Sequence, residues 1–250
     1  GASREAMKEL AAWANAANAA EQLNGQTFGC IGGRSLGIST GMADLVQWEN
    51  LFGVDIEQID QFEIADRGKT VSEAEIETYL AYIERYYGQV LYNPEERFTR
   101  EHLKKMISSY LATKAIMRDY ELDFIGIKCQ TELSNRYCLQ CLNVQMLNDP
   151  YDAEGNKCPV ACSCEADADG ALSMQILKLI SGGKPTALQD IAQVTSDRFI
   201  FANCGAMASY FAGLSEKPEE NLSKVHLMPH GFGMAGGAAT QFVCAEGIFT

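Results

Sequence analysis

Residues 159–180 fix the kind of fold open to this chain. Pro159-Val160-Ala161-Cys162 reads as a short buried strand, and Leu172, Ile176, Leu179 and Ile180 recur at helical spacing. Between them lies one turn, Cys164-Glu165-Ala166-Asp167-Ala168-Asp169-Gly170, with carboxylates at alternate positions. A strand that runs into a helix belongs to layered α/β proteins. The acids therefore sit where open α/β sheets bind ligands, outside the carboxyl end of a strand. Clustered acids repel unless a cation or a helix dipole is near. Asp167 or Asp169 can answer that by capping the helix or by holding a cation. The run imitates a calcium loop as far as Gly170, but Ile176 stands where a bidentate Glu is needed and the approach is strand, not helix.

The rest of the chain alternates in the same way. Ser3 to Leu23 is an Ala-rich helix ended by Asn24-Gly25, and Thr27 to Ile31 is a buried strand. Gly32-Gly33-Arg34-Ser35-Leu36-Gly37 follows, a glycine-rich turn with neither P-loop nor dinucleotide spacing. Asp44 to Phe52 is a short helix closed by Gly53, and Val54 to Ile64 alternates like a half-buried strand. Ser72 and Glu75 form a capping box for a helix to about Tyr87, and Thr99 opens the longest helix, to about Tyr120. Leu122 to Lys128 is the next strand, with Glu132 just past its end. The pattern predicts an α/β fold: a layered flavodoxin- or Rossmann-like domain with a mostly parallel sheet over 1–156. Part of a second, more β-rich domain follows over 157–250, the polar, turn-rich 148–156 segment marking the boundary.

Composition narrows the partners. Lys and Arg number 20 against 33 Asp and Glu, a formal charge of −13, so no phosphate-backbone binding and no nucleic-acid partner is expected. No apolar run is long enough to span a bilayer and no signal-peptide pattern is present, so no membrane partner is expected. Nine cysteines, an odd count, read as reduced thiols of a cytoplasmic protein.

Glu132 and Asp167 are the candidate catalytic and metal-binding pair. Both fall where a strand gives way to a loop on one edge of the sheet. Two carboxylate ligands with room for water suit Mn²⁺ or Mg²⁺, and two carboxylates in unlike environments relay protons. A zinc-stabilised domain is the competing reading, from Cys138-x2-Cys141 and Cys158-x3-Cys162. Cys138 and Cys141 lie in an apolar helical context where cysteine serves as a small core residue. The three histidines are His102, read as solvated on the long helix, and His226 and His230 beside a polar loop.

Several segments resemble one family. Gly32 to Gly37, with Asp44, Trp48 and Phe52-Gly53-Val54-Asp55, is similar to the opening of the middle domain of L-fucose isomerase-like proteins. Gly126 to Leu133 resembles their strand and loop bearing the first metal-binding glutamate, and Cys164 to Leu172 their Glu-x-Asp-x-x-Gly-Ala segment with the second ligand. The resemblance implies an aldose–ketose isomerase using Mn²⁺, related to L-arabinose isomerase and acting on a small-molecule sugar such as L-fucose or D-arabinose. Glu132 and Asp167 would bind the metal and act as acid and base through an enediol. Arg34 and Leu36 would contact substrate, Leu36 standing where the family has methionine. Family chains are about twice as long, form large homo-oligomers and take a third metal ligand from a C-terminal histidine. That role does not transfer to His226 or His230. The expectation is a fragment of an isomerase with little activity alone. A sugar-binding or scaffold module of the same fold is the non-enzymatic alternative.

Overall fold

The computed structural model describes residues 3–39 and 41–247. Helix α1 (Arg4–Leu23) starts at Ser3, whose hydroxyl accepts the Ala6 amide at 3.1 Å. Strand β1 (Thr27–Ile31) follows. Helix α2 (Leu45–Phe52) begins where Asp44 accepts the Gln47 amide at 2.9 Å and stops at Gly53, left-handed at φ 67°. Strand β2 (Asp55–Ile59) is shorter than its alternating pattern predicts. The Asp60 carboxylate takes the Phe62 amide at 2.8 Å and turns the chain, so the remainder of that pattern becomes helix α3 (Phe62–Gly68).

Helix α4 (Glu73–Tyr86) carries the predicted Ser72–Glu75 capping box. A brief strand β3 (Gln89–Val90) precedes helix α5 (Arg100–Asp119). His102, expected in solvent, instead caps α5: its Nδ1 accepts the Thr99 amide at 3.3 Å. The unmet N–H groups of a helix start draw it back there. Then come β4 (Phe124–Ile127), α6 (Glu132–Arg136), α7 (Cys141–Asn148) and the small hairpin β5 (Tyr151–Asp152) and β6 (Gly155–Asn156). Strand β7 (Cys162–Cys164) and helix α8 (Ala168–Ile180) follow. The strand read at 159–162 thus pairs slightly further along. The chain continues through hairpin β8 (Asp190–Val194) and β9 (Phe199–Ala202), a 3-10 turn at Ser209–Ala212, α9 (Pro218–Leu222), β10 (His226–Pro229) and β11 (Ala238–Gln241).

Strands β2, β1, β4 and β7 form one parallel sheet in that order. The layered α/β expectation holds, with the second-first-third-fourth order of flavodoxin-like sheets. Alternate side chains serve opposite faces. Phe28 and Phe124 pack with Trp48, Leu172 and Met174 on one side. Ile31, Ile125 and Ile127 pack with Ile64, Leu103 and Ile107 on the other. Trp48 lies 5.4 Å from Phe28, ring centre to ring centre, so α2 is pinned over β1.

The sheet does not stop at 156, since β7 completes it from beyond that point. Strand β10 also pairs with β3, tying 226–227 to 89–90. In the intervening 148–156 segment the first half is largely buried, with Asp149 at 2% and Asp152 at 4% exposure, while 154–156 are exposed. Asp152 accepts the hydroxyls of Tyr79 (3.1 Å) and Tyr110 (2.6 Å) and the ammonium of Lys114 (3.2 Å). Asp149 accepts from the Ser209 hydroxyl (2.8 Å) and the Tyr210 amide (3.1 Å). No helix among the described residues is long and apolar enough to cross a membrane.

Candidate active site

The parallel sheet reverses its winding between β1 and β4, and the loops leaving both strands part at their carboxyl ends. Open α/β sheets place ligands in such a crevice. A cavity of about 490 Å³ opens here, with Gly32, Gly33, Asp60, Gln61, Lys128 and Glu132 in its wall. A smaller depression of about 260 Å³, around Glu101 and Lys104 on α5, shares none of these residues. Lys104 is already paired with Glu73 and Glu77.

Gly32 leaves β1 at φ 97°, a conformation that side chains resist. A Cβ there would stand 2.3 Å from Gln61 Oε1 and 2.8 Å from Lys128 Cβ. The glycine lets two cavity walls approach. Gly32→Ala is expected to destabilise the protein by about 2 kcal/mol from backbone strain and to displace Gln61, measured by urea unfolding and by loss of any ligand the cavity holds. Gln61 Oε1 is a buried acceptor with no partner among the described residues, so a ligand hydroxyl would find it free.

Glu132 opens α6. Its Oε2 is 3.0 Å from Lys128 Nζ and also takes the Gln61 amide group (3.4 Å) and the Thr131 amide (3.1 Å). The Lys128 hydrogen bond is the chief reason its pKa lies below the usual carboxylate range. The side chain remains 50% exposed. Asp167 takes the capping role, accepting the Gly170 amide at 2.9 Å at the start of α8. Asp169, next on that helix, is raised by burial and by the charge of Asp167.

The acid that sequence reasoning passed over is Glu165. Its Oε2 lies 2.5 Å from the Ser35 hydroxyl and accepts the Gln130 amide at 2.9 Å. Burial raises its pKa against those two bonds. Glu165 and Ala166 both adopt left-handed conformations, at φ 58° and 53°. Gly126 makes this possible, because a Cβ there would stand 2.8 Å from Ala166 Cα. The signal in the sequence was Ser35, a hydroxyl in a glycine-rich turn with nothing local to bond. Its partner is 130 residues away.

Glu132 and Asp167 thus lie past the ends of neighbouring strands, each with its own bonds. Arg34 folds back on its loop, donating to the Gly37 carbonyl and, at 3.1 Å, to Ser39 Oγ. Leu36, left-handed at φ 49°, is exposed. Among the described residues no three His, Cys, Asp or Glu side chains form a group that could hold a metal ion. Of the cysteines in the zinc reading, Cys138 is 3.3 Å from Ser109 Oγ in the core, Cys141 lies against the Cys204 carbonyl and Cys158 is exposed. For a hard divalent ion the donor type fits, in that Glu132 and Asp167 offer carboxylate oxygens at one sheet edge. Lys128 is the cation now on Glu132.

No protein-family model matches the chain. The chain is 24% identical over 227 residues to the sulfoquinovose isomerase of Alkalicoccus urumqiensis. That match takes in 89% of this chain and 48% of the relative, so the chain spans about half the length of the relative it matches. The relative is a sugar isomerase by name, the enzyme class that the sequence motifs imply.

Proposed function

We propose that a protein built around this chain is an aldose–ketose isomerase of carbohydrate metabolism, acting on a small-molecule sugar as a homo-oligomer. The likeness to a sulfoquinovose isomerase along nearly the whole chain carries this reading. Sulfoquinovose, L-fucose and D-arabinose are the candidate sugars. The cavity at the β1–β4 crevice suits a polyol, since Gln61 Oε1 and Asp60 accept hydroxyl protons while Lys128 donates to sugar oxygens.

Isomerisation moves a proton between adjacent sugar carbons through an enediol. Glu132, held ionised by Lys128, is the base that takes the proton from the carbon beside the carbonyl. Asp167, at the neighbouring strand end, handles the hydroxyl proton. Arg34 and Leu36 border the sugar from the β1 loop. A Mn²⁺ ion, when bound by Glu132 and Asp167, would supply positive charge to offset the charge that builds on the two sugar oxygens. Lys128 must then give up its hold on Glu132.

Titration of the chain with Mn²⁺, alone and with each sugar, tests this reading. Weak binding is expected, because two protein ligands leave most of the coordination to water. Glu132→Ala and Asp167→Ala should each weaken it at least tenfold, and the substrate sugar should tighten it. Unchanged affinity in both variants would remove the two carboxylates from the metal site. No response to any of the three sugars would remove the substrate class.

A further inference from the structure

Behind the acidic turn, three thiols meet. Cys164, the last residue of β7, has its sulfur 3.4 Å from that of Cys204, in the segment after β9. Cys141, at the start of α7, directs its sulfur at the Cys204 carbonyl, 3.7 Å away. The other side of Cys204 is held by His230, whose Nε2 is 2.9 Å from the same carbonyl. Next to it, Gly205 is fixed by Thr240 of β11, whose amide and hydroxyl both donate to its carbonyl at 3.1 and 2.7 Å. Cys164 and Cys204 are partly exposed, whereas Cys141 is buried.

We propose that Cys164 and Cys204 are an oxidisable dithiol, converted by hydrogen peroxide to a disulfide that ties the end of β7 to the loop after β9. The contact distance, the shared exposure and the anchoring of both segments carry the inference, which is independent of the isomerase reading. A disulfide needs the sulfurs to close to about 2.05 Å. Cys204 is the attacking group. Hydrogen bonds from Cys141 and Cys164 pull its pKa well below the usual thiol range, and His230 adds to the effect. The same contacts, with burial, push Cys141 and Cys164 up. The thiolate is the nucleophile in such chemistry.

The steps balance. The Cys204 sulfur attacks one peroxide oxygen, the O–O bond breaks, and the departing hydroxide leaves as water after protonation. Cys204 is then a sulfenic acid. The Cys164 sulfur attacks the Cys204 sulfur, the S–O bond breaks, and the Cys164 proton leaves with the hydroxide as a second water. The two thiols have lost two electrons, which the peroxide has gained.

The test is hydrogen peroxide treatment of the reduced chain at low concentration, alkylation of remaining thiols, and peptide mapping without reductant. The expected result is loss of two of the nine thiols and one linked peptide joining Cys164 to Cys204. The link should disappear with dithiothreitol, be absent from Cys164→Ser and Cys204→Ser, and persist in Cys141→Ser. The wild-type map alone decides the matter if a serine variant misfolds. A Cys141–Cys204 link, links confined to the exposed Cys158 and Cys244, or over-oxidation of Cys204 with Cys164 still free would each overturn the proposal.

Discussion

Asp152→Ala is expected to lower stability by about 3–5 kcal/mol, the cost of stranding buried partners around a deleted charge. Asp152 is the common acceptor of two phenols and an ammonium drawn from α4 and α5. Burial alone would raise its pKa, but the Tyr110 hydroxyl, the Glu154 amide and Lys114 overcome this and hold it low. Removing it takes the shared acceptor from the Tyr79 and Tyr110 hydroxyls, whose rings lie 5.6 Å apart, centre to centre. Lys114 keeps Glu154, at 3.0 Å and on the exposed side, and the Tyr79 hydroxyl at 3.3 Å. Urea unfolding monitored by circular dichroism measures the loss. A change below about 1 kcal/mol, the scale of an ordinary surface ion pair, would mean that the network contributes little.

Asp149 should make stability fall as pH rises through the acidic range. Burial pushes its pKa up to about 7, against the bonds from Ser209 and Tyr210. In the unfolded chain an aspartate titrates near 3.9. Between about pH 4 and 7 the folded protein therefore holds a proton that the unfolded chain has released. The stability slope is negative wherever the folded state binds more protons. The loss should be on the order of 1 kcal/mol per pH unit across that window, flattening above it. Asp149→Asn, which cannot titrate, should abolish this part of the slope. An identical pH profile in the two proteins would show that Asp149 stays ionised when folded.

Both residues lie in the stretch that reads, from its turn formers, as a boundary between domains. Their partners explain why both are buried all the same. Besides the nearby Gln145 and Glu154, Asp149 is held by residues 60 and 61 positions away, and Asp152 by residues 38 to 73 positions away. A polar segment looks solvated unless those distant donors are in view. Where the deciding physics is local, the sequence was a reliable guide: the Ser72–Glu75 box, the Asp44 cap and Gly53 stop of α2, and the buried run of β1 all lie where their residues put them. The alternating run after Val54 misled because period-2 patterning says nothing of the Asp60 side chain that ends the strand. The acidic turn was legible as a strand-to-helix turn, and the sheet-edge position of Glu132 with it. The bonding of the half-buried acid of that turn, Glu165, was not, because its partners are Ser35 and Gln130, 130 and 35 residues away.

The order of strands in the sheet also has a consequence for how the protein comes off the ribosome. Strand β1 is paired on one side by β2, which emerges soon after it, and on the other by β4. The Thr27 amide is taken by Asp123, 96 residues later. At translation speeds of about 5–20 residues per second, that gap lasts roughly 5 to 20 s. Throughout it, β1 presents a bare hydrogen-bonding edge, and Phe28 lacks the Phe124 ring that will sit 5.2 Å from it. Strand pairings this distant close slowly and leave sticky edges uncovered. The nascent chain therefore depends, for those seconds, on whatever shields that edge until β4 arrives.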